Sequence, residues 1–383
     1  MEVEKKIRQE AIRLYLQGIS VGMISKELER SRQWVYKWIN RYIQNPTGTW
    51  YMEASTAPHH IFGKSSPTIE AAIISIRKKL QSHQYHQTGA VNILYHLADL
   101  GISPPSISTI NRIIKRHGLN RNDPIKKKKN TEYPTYFVNV QQMDLVGPRY
   151  LKGGIRFYLF DIIDVDTHFG FTYPIRDKSA QSIAPCLIDF WSRFQLPDFL
   201  QMDNELSFRG SNKYPRSLGL LMRLTLSNGI SPIFIPPSEP WRNGVIERFN
   251  RLVQQKFLST QTFFTFEEMK RKAEEFSLFH NHYHRYSTSG QKTPDQFLPM
   301  INRNFSLQKK IDIKAPIPVE EGILIFIRFI RSNLKLKILD SVFEVNHELK
   351  YNYVTVRIIL EKYILVVSRN EYVYHIFPFP MSL

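Results

Sequence analysis

The sequence predicts a multidomain chain with an all-α N-terminal third, an α/β centre and an all-β C-terminal end, and three observations carry that prediction. Apolar residues recur at helical spacing as far as His117, the period changes to two or to short apolar runs from Tyr136, and beyond Pro299 only strand-like runs remain. At 383 residues with 42% hydrophobic content, the chain is long enough for several real cores.

Charge narrows the choice of partner. The formal net charge is +18, which points to a polyanion such as nucleic acid rather than to an acidic or neutral ligand. Residues 1–134 hold 21 Lys and Arg against 10 Asp and Glu, residues 135–311 hold 22 against 16, and residues 312–383 hold 9 against 8. The excess is therefore heaviest at the N-terminus and nearly absent at the C-terminus. A single cysteine, Cys186, excludes a disulfide framework and any cysteine-based zinc finger, and suits a reducing compartment. No apolar run reaches transmembrane length, and the start MEVEKKIRQE lacks the apolar centre of a signal peptide. A cytoplasmic protein without a membrane partner is expected.

The first expected domain, 1–45, places Ile7, Ala11, Ile12 and Leu14 at helical spacing, breaks at Gly18-Ile19-Ser20, and resumes with Val21, Ile24 and Leu28. A third helix follows Ser31, its cap. Val35, Trp38, Ile39 and Tyr42 face inward, while Arg32, Gln33, Trp34, Lys37 and Arg41 face out. This is the pattern of a helix-turn-helix whose last helix enters a major groove, with Arg32, Gln33, Lys37 and Arg41 as DNA contacts; an ordinary three-helix bundle has the same spacing.

A second helical set, expected as a domain over 66–120, follows a polar linker: Thr68 to Leu80, Gly89 to Leu100 and Ser106 to His117. Its final helix buries Ile107, Ile110, Ile113 and Ile114 and presents Arg112, Lys115 and Arg116 to DNA; a scaffold or dimerisation bundle is the alternative. The run Lys126, Lys127, Lys128 and Lys129 is a linker suited to touching phosphates without regard to sequence.

From Tyr136, TYFVNVQQMDLV, GIRFYLFDIIDV and FGFTYPI predict three strands of an antiparallel meander. A helix over Ala180 to Phe194, a strand over Asp198 to Met202, a helical stretch from Leu218 to Leu224 and a strand over Ile233 to Ile235 complete the order before a helix-forming segment near Glu247. Three carboxylates fall at telling places. Asp144 lies near the end of the first strand, Asp203 follows the fourth, and Glu247 opens a helix. Phosphodiester hydrolysis or transfer calls for an activated oxygen nucleophile and a neutralised transition state, which two Mg²⁺ ions about 3.5–4 Å apart supply. Such ions need few carboxylate ligands on rigid elements, so Asp144, Asp203 and Glu247 are expected as catalytic residues and metal ligands of one triad, with Mn²⁺ able to replace Mg²⁺. Asp161 lies inside the second strand and Asp164 in a turn cluster, which argues against either as the ligand. Asn243, Glu247 and Arg251 are spaced to share a helix face, so Asn243 and Arg251 are expected to flank the site and reach the DNA backbone; an exposed polar face is the alternative. His280, His282 and His284 alternate, but the surrounding pattern is helical and nothing completes a zinc set, so a helix end touching the core or DNA is the better expectation. Beyond Pro299, ILIFIRFI, LKLKIL, SVFEVN, YVTVRIIL, YILVVS and YVYHIF predict a small β domain over 312–383.

QQMDLVGP, LQMDNELSF and PPSEPWRNGVIERFNRLVQQKF resemble the three signature blocks of DDE transposases of bacterial insertion sequences, and HNHYHRYSTSGQKTPDQF is similar to the segment that closes their catalytic core. The resemblance covers about residues 136–298. It implies a retroviral-integrase-type, RNase H-like core over 135–298 with a mixed five-stranded sheet, and it carries the metal-ligand role onto Asp144, Asp203 and Glu247. It further implies double-stranded DNA, both element ends and target, as partner, a homo-oligomer on DNA, and association with the nucleoid. Two departures stand out: 43 residues separate Asp203 from Glu247, more than is usual, and Asn204 is followed by Glu205 where glycine is common. Glu205 is therefore a competing ligand. A catalytically silent DNA-binding regulator and an RNase H-like nuclease are the alternative functions.

Overall fold

The computed structural model describes residues 2–53, 65–119, 132–210, 213–297, 299, 307 and 311–382. It divides into two compact units, Met1–Ser65 and Ser66–Leu383. Lys126 to Lys129 lie outside the described residues. No described helix is long and apolar enough to cross a membrane.

The first unit is a helical triplet: α1 (Glu2–Leu16), α2 (Val21–Glu27) and α3 (Arg32–Gln44). The Ser31 hydroxyl accepts from the Trp34 amide at 3.2 Å, which ends the turn and starts α3. Ala11, Leu14, Ile24, Val35 and Trp38 form the centre, all almost completely buried. A short tail closes over them. Arg8 donates to the Tyr51 carbonyl, lays its guanidinium 4.2 Å from the Trp38 ring centre, and so joins α1, α3 and the tail.

The second unit begins with another triplet, α4 (Pro67–Ser82), α5 (Ala90–Asp99) and α6 (Ile107–Arg116). Ser66 and Ser106 cap α4 and α6. Ile73, Ile93, Leu97, Ile110 and Ile113 fill its core. Ile107, expected inside, is 38% exposed, because Ser106 takes the cap and leaves Ile107 on the first, open turn.

The expected strands all form: β1 (Val140–Tyr150), β2 (Arg156–Asp164), β3 (Gly170–Ile175), β4 (Phe199–Met202) and β5 (Ser231–Phe234). β1, β2 and β3 make the antiparallel meander, and β4 and β5 add in parallel beside β1, giving the order 3-2-1-4-5. Between them lie α7 (Ala180–Arg193), the single turn α8 (Leu206–Arg209) and α9 (Leu220–Leu226); after β5 come α10 (Gly244–Val253), α11 (Phe266–Tyr283) and the short α12 (Pro294–Phe297).

Alternation along the strands divides two cores. Met143, Phe160 and Ile162 pack with Ile183, Leu187 and Trp191 of α7, whereas Leu159 and Ile163 pack with Ile246, Phe249 and Phe276 of α10 and α11.

The C-terminal region is all-β, with β6 (Ile323–Phe329), β7 (Lys335–Ile338), β8 (Ser341–Glu344), β9 (Tyr353–Ile359), β10 (Ile364–Arg369) and β11 (Tyr372–Pro378). β7 and β8 form a separate hairpin, but β6 pairs in parallel with β5, so the sheet runs through nine strands, 11-10-9-6-5-4-1-2-3. Pairing covers the β5 edge that would otherwise offer open backbone groups. It also matches β6 itself, where Leu324 and Phe326 enter one core while Ile325 and Ile327 enter another.

Candidate active site

The site grows from one tripeptide used twice. Gln142-Met143-Asp144 lies inside β1, where the pairing with β4 runs out at Gln142, and Gln201-Met202-Asp203 runs off the end of β4. The two strands are parallel neighbours with Gln142 paired to Gln201, so both glutamines and, two residues on, both aspartates point to the α10 face, while Met143 and Met202 enter the α7 core. Adjacent strands lie about 4.8 Å apart, which brings Asp144 and Asp203 side by side at the carboxyl edge of the sheet.

The glutamines set the third element. Gln142 Oε1 accepts from the Val245 and Ile246 amides at 3.2 and 3.0 Å, serving two of the donors that a helix start leaves unpaired. Gln201 Nε2 donates to the Arg242 carbonyl and to Asn243 Oδ1, at 3.1 and 2.8 Å. The start of α10 is thus fastened to both strands, and Ile246, Phe249 and Val253 bury its other face. Glu247 follows on the first turn, partly exposed.

Asp144 is held at both oxygens: Oδ1 accepts from its neighbour Leu145's amide at 2.8 Å and Oδ2 from Asn250 Nδ2 at 2.7 Å. Burial pushes its pKa up to about 6, against those two donors and with further upward pressure from the charges of Asp203 and Glu247. Three carboxylates therefore share one field. Burial raises Asp203 as well, although its Oδ1 accepts from the Glu205 amide at 2.9 Å. Directly across from Asp144 in the β1–β2 register stands Asp161, fully buried and raised to about 8, chiefly by burial and further by the Asp144 charge, while Thr172 beside it acts the other way. Burial thus favours the protonated form of Asp161 beneath the site.

Glu205, the competing carboxylate, is committed to Lys178 at 2.9 Å. Asn243 corrects the expected contact face: it is 4% exposed and its amide oxygen is taken by Gln201, so it fastens the helix instead of reaching outward. Asn250, three residues after Glu247, is the side chain that reaches Asp144, and spacing could have found it, since i and i+3 share a helix face. Arg251 and Arg248 are exposed. Trp241, just ahead of α10, stands 59% exposed. Among the described residues no three His, Cys, Asp or Glu side chains are arranged to hold a metal ion. The oxygen set nevertheless suits a hard cation, and the buried Asn250 Oδ1 has no hydrogen-bond partner.

His280 and His282 are in α11 and His284 is its C-cap, so no strand aligns the three. His280 and His284 are buried one turn apart with Nδ1 atoms 3.0 Å from each other, and their Nε2 atoms lie 2.9 and 2.8 Å from the carbonyls of His168 and Tyr85. Burial lowers both, His284 to about 4, so they are neutral packing groups at the core. His282 is exposed and faces Asp295 at 3.3 Å.

Of the candidate DNA contacts, Arg32 and Gln33 are exposed on the first turn of α3. Lys37 pairs with Glu53 at 3.5 Å, and Arg41 donates to the Met52 carbonyl and stacks on Trp38, so these two also serve the triplet's own tail. Arg112, Lys115 and Arg116 are exposed on α6, with Arg116 bridged to Glu70 at 3.0 Å.

Two family models match the chain. A homeodomain-like domain matches residues 2–50, the first triplet, and the integrase core domain matches residues 228–294, from before β5 through α10 and α11. The second match contains Glu247, while Asp144 and Asp203 lie ahead of it. Among solved structures, the chain is similar to the HTLV-2 integrase catalytic core domain in complex with magnesium, trimeric form, at 14% identity and a TM-score of 0.32, covering 43% of this chain and 98% of that one. It is also similar to the catalytic core domain of BIV integrase, at 16% identity and a TM-score of 0.31, covering 42% and 94%. Scores this low add no weight of their own. The chain carries a homeodomain-like helix-turn-helix domain followed by an integrase core domain, an arrangement consistent with a DDE transposase.

Proposed function

We propose that the protein is a DDE transposase, which binds the ends of its element through its helix-turn-helix modules, hydrolyses the phosphodiester at the 3′ ends and joins those ends to target DNA. The observation that carries this reading is the in-register pair of Gln-Met-Asp segments whose glutamines fasten the start of α10. Asp144 and Asp203 thereby stand on neighbouring strands at the carboxyl edge of the sheet, with Glu247 on the first turn of the helix that the glutamines fasten.

The oxygen chemistry of Asp144, Asp203 and Glu247 suits a divalent cation, and these three would hold it. Two bound Mg²⁺ or Mn²⁺ ions would supply a polarised nucleophile and neutralise charge on the transferring phosphate. The chain's own part is positional. Leu145 and Asn250 orient the Asp144 carboxylate, Gln142 and Gln201 set where Glu247 stands, and Lys178 holds Glu205 aside. Arg32, Gln33, Arg112 and Lys115 serve end binding, and Arg251 lies where it can meet the DNA backbone beside the site. Two ends must be handled together, so the working form is a homo-oligomer on DNA, acting in the cytoplasm on the nucleoid.

Glu247→Gln tests this. The substitution keeps size and helix while removing one charge, so end cleavage and strand joining should both fall by more than about a hundredfold, with end binding near wild type. Glu205→Gln is the control and should retain both reactions. Joining kept by the first variant and lost by the second would overturn the assignment.

A further inference from the structure

The turn that leads into α10 is fastened by a second set of residues besides Gln142 and Gln201, and one of them comes from the C-terminal strands. Arg242 Nε donates to Glu239 Oε2 at 3.0 Å, and Arg242 Nη2 donates to the Tyr353 hydroxyl at 2.9 Å. That hydroxyl donates in turn to the Glu239 carboxylate, whose oxygens lie 2.9 and 2.7 Å away. The three side chains close a ring of charge-assisted bonds, which are shorter and stronger than neutral ones. Arg242 and Glu239 have side chains only 19% and 17% exposed, so this is not the loosely held, screened pair of an open surface.

Tyr353 stands on β9, 111 residues after Arg242, and the segment ahead of β1 joins it there. The Arg242 guanidinium lies 4.0 Å from the ring centre of Tyr133 and 4.7 Å from that of Tyr353, and the two rings meet edge to face at 5.2 Å. Phe329 packs on Tyr353 at 5.0 Å, and Ile233, Ile325 and Ile327 fill the cluster behind them. The guanidinium is thus fixed against a sheet. The carbonyl of the same residue accepts from Gln201 at 3.1 Å, so the place of Arg242 decides where α10 begins, and Glu247 follows five residues on. This turn needs holding: Ser238 has a φ of +62°, in the left-handed region that a residue other than glycine keeps only where its surroundings fix it.

We propose that Arg242, Glu239 and Tyr353 are positioning residues for Glu247, through which the C-terminal strands fix the turn that carries this carboxylate into the active site. The proposal rests on the transposase reading for what that position is used for. It gives the pairing of β6 with β5 a consequence, since that pairing brings β9, the next strand beside β6, to the turn. The three side chains act through the backbone of α10 and touch neither substrate nor metal in this role. A displacement of about 1 Å at a reacting group costs up to about a hundredfold in rate, so a ring remote from the chemistry can still govern it.

The test uses the full chain, Mg²⁺ and an end duplex taken from the repeats flanking the gene. Tyr353→Phe keeps the ring and its packing and removes only the bridging hydroxyl. Its kcat for end hydrolysis should fall about tenfold while KM for the duplex stays within about twofold, because the chemistry is misplaced and binding is not lost. Hydrogen exchange at the Val245 and Ile246 amides should quicken about tenfold, with the β4 amides unchanged. Glu239→Gln should act alike, and the double variant should lose no more than the stronger single one, because both break the same ring. Tyr136→Phe is the control: it removes a bond to the Thr355 hydroxyl at 2.5 Å, two residues along β9, and should match wild type. Losses that multiply in the double variant, a raised KM with kcat kept, an equal loss in the control, or unaltered exchange at Val245 and Ile246 overturns the proposal. A wild-type chain that cuts no end duplex sinks the transposase reading instead, and the positioning is then judged by exchange alone, where unaltered amides overturn it.

Discussion

Two helical triplets with the same plan, α1–α3 and α4–α6, do different structural work. Each has capped helices, a small apolar centre and a basic last helix. The first closes on itself through Arg8 and its tail and forms a unit of its own. The second is one body with the integrase core. The turn after α4 sends Tyr85 among Phe249, Phe257 and Phe276 in the α10–α11 core, its carbonyl accepts from His284, and Gln87 accepts from the Arg285 amide. Residues that look equivalent in the two triplets therefore answer to different things. In the first they answer to the triplet's own packing, and in the second they answer also to the stability of the integrase core.

The largest expected effect breaks the two triplets apart. Trp38→Ala removes the centre of a small core and should cost about 3–5 kcal/mol, enough to unfold the first triplet. Tyr85→Ala should cost a similar amount but charge it to the second unit. Calorimetry of the full chain should show the core transition unmoved in the first variant and lowered in the second. A core transition equally low in both would mean the two units are not independent.

Acid should separate them next. Residues 2–53 contain no histidine, whereas the second unit buries His280 and His284 neutral. His284 is lowered from 6.5 to about 4 in the fold, so between those values the unfolded chain binds the extra proton and the folded one does not. Stability from this group is full above about 6.5 and is lost as pH falls toward 4, by about 3 kcal/mol in all. Asp161, raised to about 8, acts in the opposite sense, which is why the comparison is wild type against His284→Gln. The variant should lose less stability between pH 6.5 and 4.5 in urea titrations. Parallel curves would remove the histidine from the explanation.

The smallest effect on stability sharpens the functional half of the comparison. Arg32→Ala and Gln33→Ala alter exposed positions at the start of α3 and should change stability by less than about 0.5 kcal/mol. End preference over random duplex should fall nonetheless, by about 1–3 kcal/mol if either reads a base. Preference unchanged in both variants would transfer recognition to α6.

What sequence alone determined here is what depends on neighbours along the chain. Ser31, Ser66 and Ser106 announce their helices because capping is local. The strand runs from Tyr136 onward announce theirs by period, and Asp203 and Glu247 are conspicuous because one follows a strand and the other opens a helix, whereas Asp144, expected near the end of its strand, lies inside β1. Tertiary structure decided which partners those elements found. Helical spacing allowed Asn243 or Asn250 to share the face of Glu247; the choice fell to Asn250 because Gln142 and Gln201 fix the start of α10 and spend Asn243 in doing so. The histidine trio looked like a row only under a strand period, and helix α11 turns two of its members into the core. The C-terminal strands are plain in the sequence, but nothing along the chain says that β6 will seek the open edge of β5, some 90 residues before it. Pairing across that distance is set by edge hydrogen bonds and by two-sided burial, which belong to the folded sheet and to no single segment.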